Sequence, residues 1–376
     1  MVSIGYDYDV ARQRFLAAAA QAGAEVASFV HPNQGGAGGC ELAVDLAWLG
    51  PATAQRVLLV TSGMHGFEGP AGSEVQSLWL EADPSGLAPD TAVVLVHALN
   101  PWGFAYVSRL TENNVDLNRN FIDWSGPRPA NPYYHHIRDA IRVKDLSPET
   151  LMGLMAEQAR LVGELGPAAM QVASDYGQYE DPQGLTFGGA GPEFGHQVMR
   201  QQIVPRLANV TELGLIDLHT GVGAYGEVAI LPIDGAASAN AQRLLDWWGK
   251  DLVQGWKRST FEAAIEADPN TANLPVVKTG EMREALVDWL PKARVTGAVV
   301  EFGTETQASL PEVVFVTLYE RWLRFEHGGD RMAPEHKAFR DAAWRCYTPS
   351  DPAWCEVVRR EGPALIHQAL AGLARL

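Results

Sequence analysis

Short apolar runs bounded by turn residues recur along the chain and predict buried β-strands. The clearest runs are residues 56–61 (RVLLVT), 92–98 (AVVLVHA), 214–219 (GLIDLH) and 296–303 (TGAVVEFG). Continuous apolar runs of this length are typical of strands that are covered on both faces. A helical pattern over residues 71–80 separates the first two runs. Strand, helix and strand in this order predict a βαβ unit, and therefore a parallel sheet.

Two runs nearer the N-terminus alternate apolar and polar residues instead. They cover residues 25–30 and 41–48, and a segment rich in glycine, residues 32–39, separates them. This pattern predicts an antiparallel hairpin with a long loop. Residues 9–23, which precede the hairpin, carry an alanine-rich helical pattern that ends at a glycine, a common helix stop.

The middle of the chain is less regular. Residues 125–134 and 166–195 are rich in Gly, Pro and Asp, which predicts long surface loops of the kind that often carry function. Helical patterns lie between these loops at residues 136–143 and 148–165. From residue 311 onward the pattern is again mostly helical.

The order of these elements predicts the fold class. We expect one α/β domain over residues 1–376, with a mixed, mostly parallel, twisted sheet and helices on both faces. The core would cover about residues 25–325, and about residues 326–376 would form a C-terminal helical extension. The chain contains no internal repeat and no clear linker.

The charge of the chain narrows the choice of partners. It has 45 acidic and 29 basic side chains, a formal net charge of −16 and 47% hydrophobic residues. The hydrophobic content is that of a chain that folds. The negative net charge repels nucleic-acid phosphates and anionic lipids, so we expect neither nucleic acid nor a membrane as partner. The N-terminus lacks a signal-peptide pattern, and three scattered cysteines suit a reducing compartment. We therefore expect a cytoplasmic protein; its cysteines are Cys40, Cys346 and Cys355.

Residues whose side chains can bind a metal ion lie at or just after the ends of three predicted strands. His65 and Glu68 come after the first strand, in SGMHGFEG. His219 lies at the end of the third, in DLHTG, and Glu301 lies in the last, in VEFG. Ligands of open parallel sheets bind beyond the carboxyl ends of the strands. We therefore expect these four side chains at one edge of one sheet.

Two histidines and one carboxylate are a standard ligand set for catalytic zinc, with the fourth position left for water. Zinc lowers the pKa of that water to about 7 and polarises a bound carbonyl. We predict that His65, Glu68 and His219 bind one zinc ion per chain. Glu301 is then left over as the general base. Asp217 could orient His219 from behind, or only form hydrogen bonds at the strand end.

A second polar segment lies between the first two ligand positions and the third. It begins at Arg109 and continues with NNVDLNRNF, which contains Asn118 and Arg119. The planar arginine fork binds carboxylates and oxyanions. These residues predict one group for a substrate carboxylate and one for a developing oxyanion. Alternatively, Asn118 and Arg119 only stabilise a turn with Asp116.

Together these motifs resemble the zinc carboxypeptidase superfamily over about residues 25–325. The order is His-x-x-Glu, Asn-Pro-x-Gly, Arg, Val-Asp-Leu-Asn-Arg-Asn-Phe, His and Glu. His-Gly-x-Glu-Gly and Asp-x-His-Thr-Gly are similar to a poorly characterised bacterial branch filed as a domain of unknown function. Asp-Leu-His-Thr-Gly is also similar to succinylglutamate desuccinylases and aspartoacylases. The resemblance implies zinc on His65, Glu68 and His219, Glu301 as general base, Arg109 polarising the scissile carbonyl, and Asn118 with Arg119 holding a substrate carboxylate.

The chain departs from carboxypeptidases in one motif. Those enzymes carry a mobile tyrosine upstream of the catalytic glutamate, whereas this chain has no tyrosine between Tyr225 and Tyr319. Tyr225 and Glu227 follow His219 closely and could line the same pocket. The departure favours a small N-acylated or amidated carboxylate at least as much as a peptide.

The predicted function is therefore a zinc-dependent hydrolase that cleaves an amide bond. Its substrate would be a small molecule or short peptide with a carboxylate, and its type a carboxypeptidase-like metalloprotease or an N-acyl amino acid deacylase. The alternative is a catalytically silent metal- or ligand-binding protein that retains the fold. The chain has no Gly-x-Ser-x-Gly elbow of a serine hydrolase and no phosphate-binding glycine motif. The pattern carries no information on oligomeric state.

Overall fold

One mixed sheet forms the centre of the molecule. The computed structural model describes residues 4–82, 84, 86–232, 238–255, 265, 267–269, 271, 278–306 and 309–376. The strands in this part are β1 (Glu25–Gly35), β2 (Glu41–Leu49), β3 (Arg56–Thr61), β4 (Thr91–His97), β5 (Glu212–Ala224), β6 (Val228–Pro232) and β7 (Arg294–Glu305). Their order in the sheet is β1-β2-β4-β3-β5-β7-β6.

Parallel pairing is confined to the centre of the sheet. The pairs β4–β3, β3–β5 and β5–β7 are parallel. The pairs β1–β2, β2–β4 and β6–β7 are antiparallel. The predicted hairpin and the predicted βαβ unit are thus both present, and the predicted α/β fold with a mixed sheet is confirmed. The parallel pairs are the three at the centre of the sheet.

The helices cover both faces of this sheet. They are α1 (Tyr8–Gln21), α2 (Gly69–Glu81), α3 (Pro101–Tyr106), α4 (Pro148–Leu165), α5 (Pro167–Asp175), α6 (Phe194–Val198), α7 (Ala239–Trp248), α8 (Lys250–Val253), α9 (Met282–Trp289), α10 (Ser309–Trp322), α11 (Lys337–Tyr347) and α12 (Pro352–Leu373). The apolar side chains of α1, α2, α7 and α12 pack on one face, and those of α6 and α9 pack on the other. None of the described helices is both long and apolar enough to cross a lipid bilayer.

Strand β3 shows why the middle of each central run is apolar. Its side chains alternate between the two faces, because successive residues of a strand point in opposite directions. Leu58 and Val60 pack in the core beneath α2 and α12, whereas Val57 and Leu59 pack in the core beneath α9. Each of these four residues is therefore buried by one helix layer or the other, and an unpaired polar side chain would be desolvated on either face.

Two predictions for the middle of the chain are wrong. Residues 136–143 form turns rather than a helix, although Ile137 and Ile141 are buried together at helical spacing. The segment 166–195 is not only a loop, because it contains α5 and the start of α6. Pro167 occupies the first turn of α5, a position that does not need the missing N–H, so proline starts a helix here. The division into a core of residues 25–325 and an extension of residues 326–376 stays a prediction.

His97, at the end of β4, is a buried histidine that does not line the site described below. Its ring is fully enclosed, stacks on Phe15 at a centroid distance of 4.6 Å and places Nε2 2.8 Å from Ser73 Oγ. Burial lowers the pKa of His97 to about 4. The folded protein therefore holds this imidazole neutral at pH values where an exposed histidine takes up a proton.

This pKa predicts a loss of stability in acid. An unfolded histidine has a pKa of about 6.5, so between pH 6.5 and the folded value the unfolded chain binds more protons and the folded state is disfavoured as the pH falls. Between pH 7 and 4.5 the wild type should lose about 2 kcal/mol more unfolding free energy than His97→Gln. Urea unfolding of both proteins at the two pH values measures this difference. His135→Gln, at an exposed position, is the control, and equal losses in the wild type and His97→Gln would contradict the prediction.

Candidate metal centre

The predicted site residues follow strands that are neighbours in the sheet. His219 lies directly opposite Glu301 in the register of β5 and β7. His65 and Glu68 lie in the turn between β3, which pairs with β5, and α2. The structure thus brings the four side chains to the carboxyl edge of the parallel strands, the edge that the sequence pattern predicts.

A glycine sets the position of the turn that carries His65 and Glu68. Gly66 lies against the backbone of Gly103 so closely that a Cβ has no room. The N–H of Gly66 also donates to the carbonyl oxygen of Arg109 at 3.3 Å. The second position of His-Gly-x-Glu-Gly therefore has to be glycine, because only then can this turn pack on the segment that presents Arg109.

Glu68 lies between the two histidines. Its Oε1 is 2.8 Å from Nδ1 of His65, and its Oε2 is 3.0 Å from Nδ1 of His219. The potential ligand atoms of the three residues all lie within 4.8 Å of one another. All three side chains are buried. Each histidine thus directs the same ring nitrogen, Nδ1, toward one enclosed point.

An aspartate holds the other nitrogen of each histidine. Asp116 Oδ1 is 3.2 Å from Nε2 of His65, and Asp217 Oδ2 is 3.0 Å from Nε2 of His219. Thr61 donates to Asp217 at 2.6 Å and fixes that carboxylate in turn. Histidines that bind metals are commonly oriented in this way, because a carboxylate on one nitrogen leaves the lone pair of the other free for the metal.

The electrostatics keep Glu68 in the form that a metal requires. Burial raises the pKa of the Glu68 carboxyl, but His65 and His219 outweigh burial and hold the pKa well below its usual range. For His219, burial lowers the pKa, and Asp217 and Glu68 raise it well above the ordinary value. Two imidazole nitrogens and an ionised carboxylate in a buried cluster are suitable donors for a divalent metal ion.

Glu301 has the opposite environment. It is 6% exposed, and its Oε2 accepts the N–H of Val222 at 3.3 Å. Burial raises the pKa of Glu301 to about 8, with a further contribution from the charge of Glu68 and an opposing one from His219. A carboxyl group with a pKa near neutrality has the proton affinity that a general base needs.

Arg109 lies beside the cluster with part of its guanidinium free. Its Nη2 is 3.3 Å from Asp116 Oδ2, and its Nη1 is 3.8 Å from Glu68 Oε1. A quarter of its side chain is exposed. Asp116 therefore contacts both His65 and Arg109, and one carboxylate sets the positions of a potential ligand and of a cationic group next to it.

Arg119 is buried, and most of its guanidinium N–H groups donate to oxygen atoms of the protein. Its Nε and Nη2 donate to the carbonyl oxygen of Asp175 at 2.9 and 2.7 Å, and its Nη1 donates to that of Asn118 at 2.6 Å. Asn118 accepts the N–H of Met282 through Oδ1 at 3.4 Å. Asn118 and Arg119 both line the cavity, and contact between them and a substrate stays a prediction.

These groups surround one cavity of about 290 Å³. We call it the metal cavity. Its wall contains the four residues of the strand ends, Arg109, Asn118 and Arg119, and it also contains residues that no motif marks. The latter include Asp175, Lys278, Glu281, Arg283, Cys346 and Tyr347.

A family model described as "Protein of unknown function (DUF2817)" matches residues 5–361. The chain belongs to this family. The match confirms the resemblance to a bacterial branch of unknown function. No curated protein matches this DUF2817 chain by sequence.

Three solved structures that are similar to the DUF2817 chain belong to differently described proteins. A candidate metallopeptidase from Shewanella baltica OS155 is 14% identical, with 86% of this chain and 92% of that chain covered and a TM-score of 0.40. Carboxypeptidase A from Helicoverpa armigera is 14% identical, with 90% and 73% covered and a TM-score of 0.44. An aspartoacylase family protein from Mesorhizobium loti MAFF303099 is 15% identical, with 80% and 66% covered and a TM-score of 0.33.

The site of the DUF2817 chain contains residues that the sequence analysis missed. Asp116, suggested by the sequence only as a turn partner of Asn118 and Arg119, contacts Nε2 of His65. Tyr347, the last residue of α11, enters the cavity wall from the C-terminal part and stacks on Phe67 at 4.0 Å. Lys278 joins the wall and is 3.2 Å from the carboxylates of Asp175 and Glu281. Neither Tyr347 nor Lys278 belongs to a recognisable motif.

Tyr225 and Glu227 do not line the metal cavity. Tyr225 is 37% exposed and donates to Asp351 at 3.2 Å, away from the cluster. The suggestion that they line the same pocket as His219 is wrong. The pairing of β5 with β7 shifts register between Gly221 and Ala224, and Gly221 and Gly223 have positive φ angles of 128° and 99° there.

The orienting role of Asp217 is testable. Asp217→Asn should weaken divalent-metal binding about 10- to 100-fold, because an amide holds the Nε2 proton of His219 less strongly than a carboxylate. Competition with a chromophoric chelator measures the affinity. Asp139→Asn removes an exposed carboxylate and serves as control. Unchanged affinity in Asp217→Asn would contradict the orienting role.

Proposed function

We propose that the protein is a zinc-dependent hydrolase that cleaves the amide bond of a small carboxylate-bearing substrate. The observation that carries this proposal is the convergence of three potential ligands, a spare buried glutamate and a partly free arginine on one cavity. A protein that only binds a metal needs no glutamate with a raised pKa beside the ligands. The geometry therefore supports an enzyme over a silent binding protein.

His65, Glu68 and His219 would hold the zinc ion through two Nδ1 atoms and a carboxylate. This donor set matches the one found in catalytic zinc sites with three protein ligands. When bound, zinc supplies a Lewis acid that polarises a carbonyl and lowers the pKa of water. Asp116 and Asp217 keep the two imidazoles in the required orientation.

Glu301 moves the proton. Its carboxylate takes a proton from the attacking water and delivers it to the nitrogen of the leaving amine, so that the C–N bond breaks without expelling an anion. The hydrogen bond from Val222 to Oε2 holds the carboxyl group in place. Its position opposite His219 in the sheet register keeps it beside the ligand cluster.

Arg109 stabilises the oxygen of the scissile carbonyl as negative charge develops on it. Its contact with Asp116 fixes the guanidinium and leaves donors for the substrate. Asn118 and Arg119 hold the carboxylate of the substrate, with Lys278 on the same wall. Because Arg119 already donates to backbone oxygens and to the carboxylate of Asp175, it contributes positive charge rather than a further hydrogen bond, and the amide of Asn118 contributes the hydrogen bond.

The proposed compartment is the cytoplasm. All three cysteines are free, two of them buried, and Cys346 lies in the wall of the metal cavity. Burial raises the pKa of Cys346 to about 12 and so keeps the thiol protonated and unreactive. Free thiols of this kind suit a reducing environment.

Metal content tests the ligand set. Purified protein supplied with zinc should hold about one zinc ion per chain, measured by inductively coupled plasma mass spectrometry. His65→Ala should lose it, because two protein ligands bind zinc far more weakly than three. His135→Ala, an exposed histidine, should keep it. Wild-type protein without zinc would mean that the cluster is structural, and the hydrolase proposal would fall with it.

Exchange of the general base tests the mechanism. A screen of N-acyl amino acids, dipeptides and small amides identifies a substrate and separates deacylase from peptidase. Glu301→Gln should keep zinc and lose about 100- to 10,000-fold in kcat, because an amide takes up no proton. Glu212→Gln, at the opposite end of β5, is the control. Wild-type turnover by Glu301→Gln would overturn the proposed role.

A further inference from the structure

A second cavity of about 360 Å³ adjoins the metal cavity. The two share Arg109, Asp175, Val313 and Tyr347 in their walls. Arg109 and Tyr347 are thus border residues that face both spaces. A substrate whose carbonyl lies at Arg109 can extend into either cavity.

The wall of the second cavity is mainly aliphatic. It is formed by α4, α5, α10 and the turns between residues 134 and 143, and its apolar side chains include Leu110, Ile137, Ile141, Leu154, Leu161 and Met170. Five of these six side chains, all except Leu154, are less than one-tenth exposed. Ligand pockets commonly have about this volume and this kind of lining.

The charged groups in this wall are already paired within the described part of the chain. Glu157 pairs with Arg160, Glu320 with Arg331, and Arg321 with Glu326. At the border, Arg109 and Asp175 have the partners given above. The second cavity therefore presents no spare charge to a ligand, and burying an ammonium or carboxylate group there would be costly.

The metal cavity differs in this respect. Arg119, Lys278 and Arg283 line only that cavity, as does Asn118, and they meet two carboxylates there, Asp175 and Glu281. Three cationic groups beside two carboxylates leave one positive charge in excess on this part of the wall. A substrate carboxylate is therefore favoured on the metal-cavity side of Arg109. An apolar group is favoured on the other side, where aliphatic side chains replace the cationic ones.

We propose that the second cavity binds the acyl chain of the substrate, and that the substrate is an N-acyl amino acid with a medium-length aliphatic acyl group. This inference rests on the proposed function and names its substrate class. The carbonyl lies at Arg109, the chain fills the second cavity, and the amino acid carboxylate lies near Asn118 and Lys278. We call the second cavity the acyl cavity.

The reaction on such a substrate is a hydrolysis. Water adds across the amide: its oxygen bonds to the carbonyl carbon, the C–N bond breaks, and a proton passes to the nitrogen. The products are a fatty acid and a free amino acid, and no oxidant or further reactant is needed. A dipeptide fits less well, because its ammonium group would enter the apolar space next to Arg109.

The cavity volume suggests the chain length. A cavity of about 150 Å³ accommodates a benzene molecule, so 360 Å³ should accommodate a chain of roughly eight to twelve carbons. Zinc-loaded enzyme is assayed on N-acylglycines from acetyl to decanoyl. We expect kcat/KM to rise about fourfold for each added methylene group that is buried.

A variant that fills the acyl cavity tests its role. Ala140 lines this cavity and is only partly buried, so Ala140→Phe adds bulk without disturbing a packed position. It should abolish the advantage of octanoylglycine over acetylglycine in kcat/KM. Ala159→Phe, on the exposed side of α4, is the matched control. Gln158→Trp, also in the cavity wall, repeats the test should Ala140→Phe fail to fold.

Binding provides a second readout that does not depend on turnover. Calorimetry on zinc-loaded Glu301→Gln should give tighter binding of octanoylglycine than of acetylglycine, with a negative heat-capacity change from buried apolar surface. Adding Ala140→Phe to Glu301→Gln should remove the difference.

The outcomes separate the two proposals. Equal turnover and equal binding of all chain lengths would overturn the acyl cavity and leave the hydrolase intact. Chain-length-dependent binding that Ala140→Phe blocks, without hydrolysis by the wild type, would support the acyl cavity and overturn the hydrolase. Preference for dipeptides over acylglycines would overturn the substrate class. Binding of neither acetylglycine nor octanoylglycine would overturn the acyl cavity as well.

Discussion

A buried carboxylate held between two imidazoles is the interaction on which the site depends. An ionised carboxylate in the interior costs several kcal/mol unless it is paired. Glu68 is paired twice, with His65 and His219, and each imidazole is held from behind by an aspartate. The result is a row of alternating acids and bases across the edge of the sheet. Loss of any one of these side chains leaves a neighbouring charge buried without its partner. The folded protein therefore needs all five side chains in place.

The register of the sheet explains why two buried glutamates at this edge behave differently. Glu68 comes from the turn after β3 and meets both imidazoles, so its pKa falls well below the usual range. Glu301 comes from β7, lies opposite His219 and contacts a backbone N–H rather than a cationic side chain, so burial raises its pKa to about 8. Two carboxylates with pKa values pushed apart can serve as ligand and as base.

The residues that lie at the ends of the parallel strands could be predicted from short sequence patterns. The run at residues 56–61 corresponds to β3 without adjustment, and His65, Glu68, His219 and Glu301 lie together because parallel strands end at one edge. Contacts between distant segments carry no such signal. Tyr347 reaches the site only because α11 packs near Phe67, and α5 forms because its alanines and Met170 are buried beside Ile137. Neither packing arrangement can be derived from a short window of sequence.

The boundary between the two cavities links the metal centre to substrate orientation. Asp116 contacts His65 with one oxygen and Arg109 with the other. One carboxylate therefore fixes both the imidazole of His65, a proposed ligand, and the guanidinium of the border residue Arg109. On one side of Arg109 the wall carries the cationic side chains of Arg119, Lys278 and Arg283, and on the other it is mainly aliphatic. A substrate with one charged and one apolar end thus has a single favourable direction, because reversal would place its carboxylate among aliphatic side chains.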